Sequence, residues 1–221
     1  MCTAPGLSGW SHGSVGGARN GTSSSVRASA GTAPPARLAG HPLRSGAKFR
    51  PERWEFRVFG ATADGAKHCW NHDEFTALPY TTVVADLHCV TKFSMLGAEW
   101  GGIPAGTVLD IAPPAADVTH VMVWAEYGFS SNLRLADFAS ERTIFATHKD
   151  GELLTAEHGF PVRLVVPHLY AWKGPKWVRG VEYMTADRRG FWEERGYHNV
   201  GDPWREQRYS YQEEPGDGPE L

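Results

Sequence analysis

Cys89 ends an apolar run, VVADLHCVTKFS, between His88 and Lys92 on one side of the chain's chemistry-bearing residues. A thiolate is a soft ligand and a good nucleophile, and nearby positive charge favours its formation. The position just past an apolar strand is where a loop begins, and reactive groups are often presented there by a rigid scaffold. A buried structural cysteine fits the same spacing, and spacing alone leaves both readings open. A second constellation is HGFPVRLVVPHLYAWKGPKWVRG, which gathers His158, Arg163, His168, Lys173, Lys176 and Arg179. Backbone N–H groups of a Gly/Pro-broken loop beside lysines suit a phosphate. A solvated basic loop is the plain alternative, and neither a P-loop nor a G-x-G-x-x-G pattern is present. A third set, His68, Cys69, His72, His88 and Cys89, offers zinc-type ligands or a thiol-redox module, without paired C-x-x-C spacing.

These groups need elements to hold them. RWEFRVF (53–59) alternates with period two and predicts a half-buried strand. Further strands are expected at 81–87, 119–125, 142–148, 162–167 and 177–184, with KDG (149–151) as a tight turn. Short helices are expected at 71–78, with Asn71 as N-cap, at 107–112 and at 132–139. Strands outnumber helices, so the class is α+β, mainly β, with short peripheral helices.

Composition sets the frame. Of 221 residues, 41% are hydrophobic and 12% aromatic, enough for a real core. Nine tryptophans point toward a lined pocket or an interface, because a buried indole N–H needs a partner. The net charge of −3 gives no pull toward nucleic acid. No apolar run is long enough to span a bilayer, so no stable membrane insertion is expected. No secretory or twin-arginine pattern is found, which reads as cytoplasmic. Three widely spaced cysteines are no disulfide framework and read as reduced thiols. Residues 1–45 form a Gly/Ser/Ala-rich segment with no acid before Glu52, expected to be a disordered tail. The folded domain is expected over 46–210, followed by an acidic tail over 211–221.

VVADLHCVTKFS, HGFPVRLVVPHLYAWKGPKWVRGVE and GFWEERGYHNVGDPWREQRY together resemble the sulfite oxidase superfamily, in its bacterial single-domain branch. The likeness spans roughly 42–212. It implies a sulfite-oxidase-type molybdopterin-binding fold and a molybdenum–molybdopterin cofactor. Cys89 matches the family's metal-ligating cysteine. Arg163, Gly174, Pro175 and Lys176 match its phosphate segment, with Lys173 assisting and His158 filling a polar position five residues before Arg163. The resemblance also implies Tyr127 near the metal as a catalytic group, Ser131 as a pterin contact, and His88 and Lys92 as groups beside the cofactor. His198 and Asn199 come from the C-terminal segment, and tail packing fits them equally well.

The implied activity is oxygen-atom transfer to or from a small substrate, a sulfite-like oxyanion or a sulfoxide. A non-catalytic molybdopterin-binding protein is the alternative. No C-x-x-C-H motif is present, so no haem is expected, and electrons are exchanged with a separate partner.

Overall fold

The alternation of RWEFRVF becomes strand β1, Glu55–Gly60, with Phe56 and Val58 buried and Arg57 exposed. The computed structural model describes residues 49–219, so the tail expected over 1–45 lies outside the described residues. Two sheets follow, the first mixed and the second antiparallel throughout. The first sheet has the order β2-β1-β10-β5-β6, using His68–Asn71, Glu55–Gly60, Val178–Met184, His120–Ala125 and Ser130–Arg134. Its β1–β10 pair is parallel and the others are antiparallel. The second sheet has β3 (Thr81–His88), β4 (Ser94–Pro104) and β7 (Ile144–Lys149) in order. Both β8 (Glu152–Leu153) and β9 (Arg163–Val165) pair with β7.

The main core lies between the layers. Phe56, Val121, Val181 and Tyr183 of the first sheet share one cluster with Ile103, Phe145 and Leu164 of the second. The second sheet buries its other face too, in a smaller cluster of Ala85, Leu87, Ala98, Trp100, Ala146 and Val165. Apolar burial on both faces makes this sheet a rigid support.

The mainly β class with short helices is observed. Helix α1, His72–Thr76, starts at Asn71, whose side chain accepts from the Glu74 N–H while Glu74 caps the Asn71 N–H in return. Helix α2 spans Ala105–Ile111. The KDG turn joins β7 to β8, with Asp150 and Gly151 both at positive φ. One local expectation is corrected and two strands are added. Residues 132–134 are not helical but complete β6, and only Leu135–Phe138 form α3. The edge of β5 takes this segment, and Asn132 donates to Asp187 and Asn199 from it, so tertiary pairing overrides local propensity. Strand β4, the longest, is unexpected because glycines break its pattern. Gly102 is there for space, since a Cβ would sit 2.1 Å from the Phe145 carbonyl oxygen. Residues 68–71, which no expected strand covered, form β2.

The acidic segment after 210 is also packed rather than loose. Arg189 pairs with Glu213 at 2.6 Å, Asn199 donates to the Asp217 carbonyl at 2.8 Å, and Arg134 reaches Asp217 at 3.6 Å. Charge pairing anchors this end against the first sheet, so the ordered unit runs on to 219. Among the described residues no helix is long and apolar enough to cross a membrane.

Candidate cofactor site

Cys89 sits at the tip of the β3–β4 hairpin. His88 pairs with Ser94, the Cys89 N–H donates to the Phe93 carbonyl at 2.9 Å, and the Lys92 N–H donates to the Cys89 carbonyl at 3.1 Å. Lys92 has φ of 68°, so the loop is a β-turn followed by a left-handed residue, a common short-hairpin connection. The one buried face of the stem, Ala85 and Leu87 of β3 with Ala98 and Trp100 of β4, fixes it. The tip then presents the Cys89 sulfur, half-buried, with the Thr91 hydroxyl donating to it at 3.1 Å. His88 is held by Ser94 at 2.7 Å and lies edge-on to Trp204.

The opposite wall is β9 and the loop after it. Arg163 is 2% exposed, its guanidinium lies 5.3 Å over the Trp100 ring, and its Nη1 donates to the His158 carbonyl at 3.3 Å. Its Nε is buried with no partner. Burial alone pulls its pKa down to about 10. Lys176 is nearby. Its ammonium bonds the Glu157 carbonyl, and burial, with the charge of Arg163 next, brings its pKa down to about 8. The His158 imidazole is lowered as well, by burial first and then by Lys176 and Arg163. Its Nδ1 is buried without a partner. Burial depresses all three basic groups, and Arg163 and Lys176 add their charges to their neighbours' cost, a field that favours an anion. Gly174 brings the loop onto β9, because a Cβ there would lie 2.4 Å from the Leu164 carbonyl oxygen.

These walls face one cavity of about 250 Å³, whose lining includes Cys89, Thr91, Arg163, Gly174, Pro175 and Lys176. Aromatic rings complete it: Phe93, Phe129, Trp172, Trp177, Trp192 and Tyr197. A flat heteroaromatic ligand with an anionic end suits such a lining. A second, more open depression adjoins Cys89 on the other side and is walled by His88, Lys92, Tyr170, Glu206 and Arg208.

The structure thus brings together Cys89, Arg163, Gly174, Pro175 and Lys176. His158 supports Arg163 through its carbonyl. His88 and Lys92 stand on the outer depression rather than the cavity wall. Ser131 is fully buried and its hydroxyl lacks a partner, but its neighbour Ser130 is the one on the cavity wall. Two expected residues point elsewhere. Lys173 is 1% exposed and donates to Glu193 at 2.7 Å, Asn132 at 2.9 Å and the Asn199 carbonyl at 2.7 Å. All three of its protons are used, so it holds the C-terminal segment rather than a phosphate. Tyr127 is 60% exposed with φ of 62° and packs edge-on against Trp177, off the cavity wall. Asp137 pairs with His168 at 2.9 Å, leaving Arg134 to Asp217. His198 and Asn199 are buried in the polar packing of the C-terminal segment.

The zinc or thiol-redox alternative does not assemble. His68 bonds Asp64 on a different sheet from Cys89. Cys69 is buried on β2, paired with Arg57 of β1. Among the described residues no group of three or more His, Cys, Asp or Glu is placed to hold a metal ion. The residues missed at the sequence level are Thr91, Arg208 and the aromatic wall, for which the tryptophan count was the one available signal.

A family model described as an oxidoreductase molybdopterin-binding domain matches residues 43–192. An uncharacterized oxidoreductase of Bacillus subtilis, YuiH, is 38% identical over 159 residues, covering 72% of this chain and 79% of that protein. A putative protein-methionine-sulfoxide reductase subunit of Azospira oryzae, YedZ1, is 30% identical over 155 residues, covering 70% of this chain and 56% of its own length. The crystal structure of the sulfane dehydrogenase SoxCD from Paracoccus pantotrophus superposes with a TM-score of 0.56 at 18% identity, covering 62% of this chain and 40% of that one. At that identity the likeness is one of fold.

Proposed function

Because the chain belongs to the sulfite-oxidase-like family of oxidoreductase molybdopterin-binding domains, we propose that it is an oxygen-atom transferase whose molybdenum is held by Cys89. It is an oxidoreductase, and its cofactor is molybdopterin. The observation that carries the finer reading is one cavity with the Cys89 sulfur on one wall and the buried, carboxylate-free Arg163 on another. A molybdenum–molybdopterin group, when bound, would supply an oxygen atom while taking up an electron pair, or take up the oxygen atom while giving the pair.

The chain's own residues bind and orient. The Arg163 guanidinium and the Lys176 ammonium take the anionic end of the pterin, with Gly174 and Pro175 shaping the loop beside them. The aromatic wall takes its flat ring and excludes water. The Thr91 hydroxyl donates to the sulfur and tunes its basicity. The substrate is a small oxyanion or a sulfoxide, reached from the outer depression where Lys92 and His88 stand. Electrons go to or come from a separate protein; the name of the Azospira oryzae relative as a reductase subunit supports this.

The test is the metal and pterin content of protein made in a cofactor-competent host, with Cys89→Ser beside it. One molybdenum and one pterin per chain are expected in the wild type. Cys89→Ser keeps the fold and loses turnover of sulfite and sulfoxides with artificial electron carriers. Wild-type protein without molybdenum, or a fully active Cys89→Ser, contradicts the reading.

A further inference from the structure

Arg208 comes from the C-terminal segment, 119 residues along the chain from Cys89, yet it touches the turn that carries that sulfur. Its Nη1 donates to the Val90 carbonyl at 2.7 Å and to the Cys89 carbonyl at 3.3 Å. The opposite edge of the guanidinium is taken by Glu206, at 2.7 Å from both Nε and Nη2. Its face lies 4.8 Å over the Tyr170 ring. The backbone of Arg208 is held apart from the turn, by Gln212 at its N–H and by the His198 N–H at its carbonyl. An arginine fixed on both edges and one face is a rigid fork, not a solvated surface cation.

The turn it grips needs such a support. The bond that closes it runs from the Lys92 N–H to the Cys89 carbonyl, and Lys92 sits in a conformation that side chains disfavour. Two successive carbonyls of the tip accept from Arg208, so the rotation of the Cys89–Val90 peptide is set from outside the hairpin. Arg208 also lies beyond residue 192, where the match to the family model stops. We propose that Arg208 is a positioning residue: it clamps the Cys89 turn and so aims the sulfur into the cofactor cavity. Its catalytic meaning rests on Cys89 being the molybdenum ligand, whereas the clamp itself is testable in protein that holds no metal.

The experiment compares the full-length wild type with Arg208→Gln, Arg208→Lys and Arg205→Gln. Arg205 serves as a control because it pairs with exposed Glu214 in the same segment. Amide hydrogen exchange is read at Cys89 and Lys92 in metal-free protein. Arg208→Gln is expected to speed exchange at these two amides by about 10-fold, the ratio one charge-assisted hydrogen bond corresponds to. Arg208→Lys gives an intermediate rate and Arg205→Gln none of the effect. In loaded enzyme, Arg208→Gln shifts the thiolate-to-molybdenum absorption band. Unchanged exchange in Arg208→Gln, the same acceleration in Arg205→Gln, or an unmoved band in loaded Arg208→Gln overturns the proposal. A wild type that takes up no molybdenum instead sinks the ligand assignment, and the exchange result then still decides the clamp.

Discussion

Replacing Arg163 with methionine separates a site built for an anion from one built for stability. Arg163 is buried, meets no carboxylate among the described residues, and has its pKa pulled down to about 10 by burial alone. At about 1.4 kcal/mol per tenfold in proton affinity, that depression is about 3 kcal/mol of unfavourable burial. The sign follows. A base held below its unfolded value opposes folding, fully so at every pH below about 10, with relief only as pH rises from there toward the unfolded value. Methionine removes this cost and keeps apolar volume beside Trp100. It also removes the His158 hydrogen bond and the stacking on Trp100, together worth about 1–2 kcal/mol. A net gain of about 1–2 kcal/mol remains, which for a chain of this size is about 2–8 °C in Tm. Calorimetry on metal-free Arg163→Met at pH 7 therefore gives a Tm at or above the wild type's. Molybdenum and pterin content falls, since losing a charged phosphate partner weakens binding about 100-fold. Inorganic phosphate raises the wild-type Tm and leaves the variant's where it was. A variant that melts well below the wild type while keeping its full cofactor content refutes the argument.

Lys173→Met should behave in the opposite way, because it leaves the Glu193 carboxylate buried without its cation. The expected loss in urea unfolding is about 3–5 kcal/mol, and Glu193→Gln in the same chain recovers part of it; an unaffected single variant contradicts the structural role. Lys176 gives the pH dependence. Its ammonium, with a pKa near 8 before an anion binds, is the form that holds phosphate, so affinity for inorganic phosphate falls as pH rises through about 8. Isothermal titration between neutral and mildly alkaline pH measures this, and a flat profile there removes Lys176 from the site.

The contrast between Lys173 and Arg163 marks where sequence reading stops. Both stand in one basic stretch, and both were legible as candidates for an anion. Period-two patterning at 53–59 and 81–87 located β1 and β3 because alternation is a property of adjacent residues. The end of an apolar strand likewise located Cys89. Strand β4 and the strand at 132–134 were hidden, since a glycine under a neighbouring carbonyl and a strand edge seeking a partner are set by distant chain.

By itself the sequence determined the sulfur, the basic stretch, the strand-rich class and the resemblance that joined them. Tertiary structure alone decided which cations remain for a ligand. Glu193 and Asn199 arrive from the C-terminal segment and consume Lys173, whereas no carboxylate reaches Arg163. It likewise turned Tyr127 outward and brought Arg208 onto the Cys89 turn. The physical reason is that a strand's period depends on neighbours along the chain, but burial and charge pairing depend on neighbours in space.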